Sequence, residues 1–441
     1  MTVSASRFDG LWRSSFPMMI ATAQLACGLC RADEPPWKLN QPIVGVEKEV
    51  YRKSPGPKAA ALGWTYYVGP RLERMERRGV ERIDDVHDEQ QARWSEDNGR
   101  TWSDWVDTQP SSNVVYAGVV VWEGGVCRVH DPGAERLVEL WLRQINHRGL
   151  YHNFTYWRTS EDFGRTWSEP QQLCYEEGDQ FNPKDPLAEG FLQKNHAHPG
   201  SSILIRRDGA IVACVNHANA EGDPQNNQRP WRMGALSFVG EWDEQAGDYR
   251  WEAGRRLEIS PDKSSRGLME AEPAELGDGR VLVVWRGSNT PTTPGRKWYA
   301  VSGDGGLTFS EPAEWKYDDG SSFYSPSSYH RMIRHSETER LYWFGNICED
   351  PPSGNSPRYP LVIAEVDETV PALKRNTVTV IDDRRDDQPA ALQFSNFSLV
   401  EDRETHQFEL QLTTYGQDPG SVYTADNWKY RLTLAENKPQ P

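Results

Sequence analysis

The apolar positions of this chain fall into short runs rich in β-branched and aromatic residues and cut by turn formers. VLVVW (281–285), LYWFGN (341–346), SSILIRR (201–207) and AIVACVN (210–216) are examples, and Asp-Gly or Glu-Thr turns join them to their neighbours. Such runs suit pleated, half-buried strands, and no segment carries the spacing of a convincing amphipathic helix. The pattern predicts an all-β protein. No linker or low-complexity stretch follows residue 40, so a single domain is expected over 33–441.

One polar pattern recurs among the strands. SEDNGRTWSD starts at Ser95, SEDFGRTWSE at Ser160 and SGDGGLTFSE at Ser302. In each, an Asp (Asp97, Asp162, Asp304) can accept hydrogen bonds from backbone N–H groups two residues on. The Gly in fifth place takes positive φ, and Trp102, Trp167 or Phe309 plugs the base of the turn. Each copy therefore closes a hairpin. The first two begin 65 residues apart and the third 142 later, two units of 71, so a degenerate copy is expected near 235–245, where SFVGEWDEQAGDYRW lies. Repetition on this scale, with several short strands per unit, is the signature of a β-propeller, and six blades of four antiparallel strands fit the length. LQFSNFSLVED and FELQLTTYG are expected to pair with the region after residue 40, which closes the ring and removes exposed sheet edges.

The repeated turn is the Asp box, and on it the chain resembles the sialidase (BNR) superfamily of six-bladed propellers over roughly residues 60–430. The resemblance implies that the box is structural, on the outer edge of a blade and away from the central pocket.

Charge narrows the partners. A net charge of −16 and a pI near 5.2 disfavour nucleic acid and anionic membranes, so an acidic ligand needs a local basic pocket. Eighteen Trp and seventeen Tyr suit sheets packed face to face, and equally sugar rings stacked on aromatic faces. No apolar run is long enough for a transmembrane helix. Residues 1–32 differ from the rest: Arg7 and Arg13 precede FPMMIATAQLACGLC, and the stretch reads as an export signal cleaved after Ala32, giving a secreted or periplasmic protein. Cleavage leaves Cys127, Cys174, Cys214 and Cys348, which form no CxxC pair and are expected to be buried free thiols. Neither a cofactor nor a metal is expected. The expected partner is an acidic oligosaccharide or polysaccharide, bound by a monomer.

The candidate chemistry begins in GLMEAEPAELGDGRVLVVWRGS. A turn centred on Gly277-Asp278-Gly279 sets Glu270 opposite Arg286. A structural salt bridge between adjacent strands explains that pair as well as a site does. The sialidase resemblance implies more: Glu270 matches the base that activates a Tyr nucleophile, Arg286 the second of three arginines that grip the sugar carboxylate, and Arg358, in YWFGNICEDPPSGNSPRYPLVIAEV, the third. Guanidinium forks bind carboxylates bidentately, so two converging on a pocket select an anionic sugar. Two positions depart from the family. Tyr67-Val68-Gly69-Pro70 stands where the first arginine is usual, and Arg71 points to the opposite face by strand parity. Phe394-Ser395-Asn396 stands where the nucleophilic Tyr is usual, which removes the covalent route unless Tyr324 or Tyr329, in FYSPSSYHR, enters the pocket. Asp84, Asp85 and Asp88 precede the first box, and Asp88 is the expected acid.

Histidines supply a second constellation. In NHAHPGSSILIRRDGAIVACVNHAN the turn at Asp208-Gly209 sets His198 opposite His217, with His196 on the face of His198; His152 and His130 lie one blade earlier. Such groups can trade protons near neutral pH, bind a metal with a third ligand, or simply be hydrogen-bonded within a polar channel. His and Tyr around a central pocket resemble the propeller-type ulvan lyases, in which a uronate charge is screened and its α-proton abstracted. The leading reading is hydrolysis of an anionic glycan by Glu270, Asp88, Arg286 and Arg358; lyase chemistry through His198, His217 or His152, and binding without turnover, are the alternatives.

Overall fold

Six antiparallel sheets form a six-bladed β-propeller in the computed structural model, which describes residues 42–108, 113–217 and 233–435. The export signal expected over 1–32 lies outside these residues. Blade 1 runs from the axis outward as Ala60–Tyr67, Arg74–Ile83, Val86–Ser95 and Val106–Asp107. Blade 2 is Val119–Asp131, Arg136–His147, Leu150–Ser160 and Gln171–Gln172, with Asn113–Tyr116 added along its inner strand. Blade 3 has a broken inner strand (His198–Pro199, Leu204–Ile205) followed by Ile211–His217, Gly234–Asp243 and Asp248–Ala253. Blade 4 is Met269–Glu275, Val281–Arg286, Lys297–Ser302 and Ala313–Glu314; blade 5 is Arg331–Arg334, Leu341–Asn346 and Leu361–Asp367, with Ala372–Leu373 and Thr379–Asp382 outside. Among the described residues the single α-helix is Glu189–Leu192, and no helix is long and apolar enough to cross a membrane.

Blade 6 closes the ring. It consists of Ser398–Glu401, Phe408–Thr413, Asn427–Leu434 and, from the other end of the chain, Ile43–Arg52. The early strand pairs with Asn427–Leu434, which lies beyond the two segments expected to meet it, because those form the inner half of the blade. Ring closure leaves no free edge between the first and last blades.

Alternate residues of neighbouring sheets interdigitate. Phe344, Ile363, Phe408, Leu410 and Tyr430 fill the space between blades 5 and 6, and Trp315, Trp343, Leu282 and Val362 that between blades 4 and 5. Trp141, Trp285, Trp315 and Trp343 are fully buried, so much of the tryptophan content serves blade packing.

All three Asp boxes join the third strand of a blade to the fourth. Asp97 accepts the backbone N–H of Thr101 at 2.8 Å and its hydroxyl at 2.6 Å, while Ser95 Oγ accepts the N–H of Gly99 at 2.8 Å. The acceptor thus reaches four residues on, not two, because two consecutive left-handed residues (Asn98 φ 62°, Gly99 φ 84°) fold the loop back over the carboxylate. The degenerate copy is a plain hairpin at the same place in blade 3, where Asp243 caps the turn through the N–H groups of Gln245 and Ala246. Cys127, Cys214 and Cys348 are buried free thiols as expected, but Cys174 is exposed.

Candidate functional site

A cavity of about 1340 Å³ runs along the propeller axis, between the inner strands and the loops at the end where those strands begin. Glu270, Arg286 and Arg358 all line it. Arg286 ends the second strand of blade 4, and Arg358 sits in the corresponding loop of blade 5, so the fold delivers both forks to one end of the axis.

Glu270 occupies a β-bulge. Met269 pairs with Arg286 and Glu272 with Val284, so the register slips between them and Glu270 takes φ 46°. Hydrogen bonds from Ser201 of blade 3 hold this conformation: its hydroxyl donates to the Glu270 carbonyl at 3.1 Å and its N–H to that of Ala271 at 2.8 Å. The bulge turns the Glu270 carboxylate onto Arg286 Nη2 at 2.8 Å through Oε1. Oε2 is buried with no hydrogen-bond partner among the described residues, as is Arg286 Nε. Arg358 is fixed through Nε to the Asn355 carbonyl at 3.2 Å and through Nη1 to Gln393 at 3.0 Å. Burial, with Arg286 beside it, brings the Arg358 guanidinium down to about 10, still charged at neutral pH.

Sequence reasoning missed Arg266, in the loop before blade 4, which also lines the cavity and shares Asn355 with Arg358 at 3.5 Å. Arg71 is an exposed surface residue and Val68 is fully buried just past the inner strand of blade 1, and neither lines the cavity. Arg266 is thus a third guanidinium lining this cavity, from the loop that precedes blade 4.

The acid position needs correction. Asp88 does not line the cavity; it lies exposed on blade 1 with Arg82 at 3.7 Å, because a register shift and the left-handed Asp85 (φ 61°) turn the strand. Asp84, Asp85 and Glu81 line the cavity instead. Glu81 is the buried one, and burial raises its carboxyl to about 7 in spite of hydrogen bonds from the Tyr415 hydroxyl and the Asp85 N–H. Its place in VERIDD, beside the two aspartates already singled out, was the available sequence signal.

Phe394 is buried in the core between blades 5 and 6, whereas Phe397 lines the cavity. Tyr324 lies outside it, beneath Arg296 at 4.5 Å. Tyr329 is the tyrosine that enters, edge-on to Phe397 at 5.5 Å, with its hydroxyl accepting from Arg331 at 3.4 Å. Burial raises its pKa.

The histidines separate. His198 lines the cavity, its Nδ1 on the Pro199 carbonyl at 2.8 Å, and burial lowers its pKa, favouring the neutral ring. Its strand partner is Asn216, so His217 falls one residue further on and packs against Tyr175 at 4.7 Å, outside the cavity. His196 is not on the face of His198: it packs with His152, whose Nδ1 lies 3.3 Å from His196 Nε2 and 2.8 Å from the Leu192 carbonyl, in the wall behind blade 2. Burial and His196 bring His152 down to about 4. Among the described residues no group of three or more His, Cys, Asp or Glu is placed to hold a metal ion.

Several solved structures share this fold. A protein of unknown function from Dyadobacter fermentans is 14% identical with a TM-score of 0.58, the alignment covering 89% of this chain and 100% of that one. The NanB sialidase of Streptococcus pneumoniae is 12% identical at TM-score 0.56, over 90% of this chain and 71% of that one. The intramolecular trans-sialidase of Ruminococcus gnavus is 10% identical at 0.53, over 89% and 99%. At such identities the likeness is one of fold. No curated protein matches the chain. The BNR repeat-like domain matches residues 124–369, more than half of the chain, across blades 2 to 5. With the propeller and its three Asp boxes, that match places the chain in the BNR repeat-like family.

Proposed function

We propose that this propeller is a glycosidase acting on an anionic glycan, a sialic or uronic acid carrying one, and that it works as a monomer outside the cytoplasm. The observation that carries the reading is the placing of Arg286 and Arg358, from two blades, in one cavity with a buried carboxyl at about 7. Arg358 and Arg266 present guanidinium forks to the substrate carboxylate, and Arg286 adds its unpartnered Nε. Glu81, protonated below about pH 7, donates its proton to the leaving glycosidic oxygen. Glu270 keeps Oε1 on Arg286 and uses Oε2 to take a proton from the attacking water, whose oxygen bonds to the anomeric carbon as the bond to the leaving oxygen breaks.

The test is a panel of sialosides and acidic polysaccharides, read by released sugar and repeated with Glu270→Gln. Turnover of an acidic member that the variant loses supports the reading; no hydrolysis of any member removes it.

His198 favours a second reading. Burial favours its neutral ring, and it lines the cavity together with Tyr415 and Tyr423, an arrangement that can abstract the α-proton of a charge-screened uronate. Ultraviolet absorbance from an unsaturated uronate, abolished by His198→Ala, would identify that lyase chemistry in the same panel.

A further inference from the structure

The same cavity holds a second set of guanidinium groups that the proposed hydrolysis does not use. Arg128 comes from the inner strand of blade 2, Arg331 from that of blade 5 and Arg77 from the second strand of blade 1; all three line the cavity, with Tyr66 and Tyr329 between them. Register places part of this set further along the axis. Arg331 pairs with Phe344, two residues short of the strand end at Asn346, and its partner Glu272 pairs with Val284, two residues short of Arg286.

Charge in this region is not balanced. Glu139 is shared by Arg128 and Arg158, Glu272 holds Arg331 at 3.0 Å, and Arg77 donates to the neutral Gln90 side chain at 2.7 Å. Four guanidinium groups thus meet two carboxylates. The Arg128 side chain is only 5% exposed, yet its Nε and Nη1 have no hydrogen-bond partner among the described residues. Leaving such donors buried and unmatched is costly. Burial and the neighbouring Arg128 also bring Arg77 down to about 10. Overall, six arginines line the cavity against four carboxyl groups, in a chain whose net charge is −16.

We propose that Arg77, Arg128 and Arg331, with the hydroxyls of Tyr66 and Tyr329, form a second anion subsite, so that the ligand is a glycan bearing acidic groups, carboxylate or sulfate ester, on two neighbouring sugars. The glycan part of this proposal rests on the function proposed above; the anion subsite does not. Arg358, Arg286 and Arg266 take the first acidic group at the mouth, and the inner set takes the second.

The test uses the full chain in two steps. Crystals soaked in selenate are expected to show two anomalous peaks, one beside Arg358 and one between Arg77 and Arg128. Arg358→Met removes only the first; Arg128→Met and Arg77→Met remove only the second. Glu139 keeps Arg158 in the Arg128 variant, and Arg77 has a neutral partner, so at least one inner variant is expected to melt as the parent does. No inner peak, or one that survives both inner variants, overturns the subsite. An inner peak without an outer one leaves the subsite standing and sinks the outer clamp. Calorimetry then compares galacturonate with digalacturonate and with a disaccharide of one uronate and one sulfate ester. One or both disaccharides are expected to bind at least about 10-fold more tightly, an advantage Arg128→Met reduces to near parity. Equal affinities for the monosaccharide and both disaccharides overturn the two-anion ligand.

Discussion

The Glu270 carboxylate reaches the Arg286 guanidinium at 2.8 Å although Met269, not Glu270, is the strand partner of Arg286. The bulge does what a regular ladder does not: it aims one carboxylate oxygen at Arg286 and leaves the other buried without a partner. A structural salt bridge has no need of that free oxygen. Glu270→Gln keeps the side chain's shape, so the fold is expected to persist, while turnover of an acidic glycan falls at least about 100-fold. Steady-state rates set beside the melting curve separate the two effects.

Arg358 is the fork best placed to act on ligand alone, since its partners are a backbone carbonyl and a neutral Gln side chain. Arg358→Met is expected to weaken an acidic glycan by about 10- to 100-fold, the worth of a charge-assisted pair, and to leave neutral sugars unaffected. Because burial already disfavours this charge, the variant is expected to melt no lower than the parent. Calorimetric titration and thermal denaturation check both halves.

Glu81 makes activity and stability depend on pH with a definite sign. Its folded pKa of about 7 lies above the ordinary 4.5, so stability present below about 4.5 is lost as the pH climbs through 7. Glu81→Gln stays neutral, and is expected to gain up to about 3 kcal/mol on the parent at pH 8 and nothing at pH 4. Activity of the parent is expected to fall above about pH 7 as the proton donor ionises, and the variant is expected to lose both the rate and that limb of the profile.

The Asp boxes carry stability without chemistry. Ser302 is fully buried, donates to Asp304 at 2.7 Å and accepts the N–H of Gly306 at 2.8 Å. Ser302→Ala leaves that N–H unmatched and is expected to cost about 1–3 kcal/mol. The melting midpoint should drop while activity per folded molecule holds.

Much of the fold was legible because its cues are local. The Ser-x-Asp-x-Gly-x-Thr turn needs two left-handed residues and a carboxylate at fixed offsets, so its spacing marked the blades, and six antiparallel sheets follow from it. The site was legible only where strand counting survives. Arg286 lies at a strand end and Arg358 in the loop beyond the corresponding strand of blade 5, and both line the cavity as expected. Asp88 and His217 do not, because a single left-handed residue or a one-residue slip moves a side chain to the other face, and Tyr324 lies outside the cavity on Arg296. Glu270 escaped the same fate because the bulge that breaks its register also turns it back to Arg286. Arg266 and Glu81 owe their places to loop geometry and to burial by other blades, neither of which is written in the residues beside them.

The central claim is that guanidinium forks from blades 4 and 5 hold the acidic group of a sugar in the axial cavity. Titrating the protein with an acidic oligosaccharide and with its carboxyl-reduced counterpart tests it most directly. The reduced sugar is expected to bind at least about 10-fold more weakly, and Arg358→Met to erase the difference. Equal affinity for the two sugars, or a preference that survives Arg358→Met, would contradict the account.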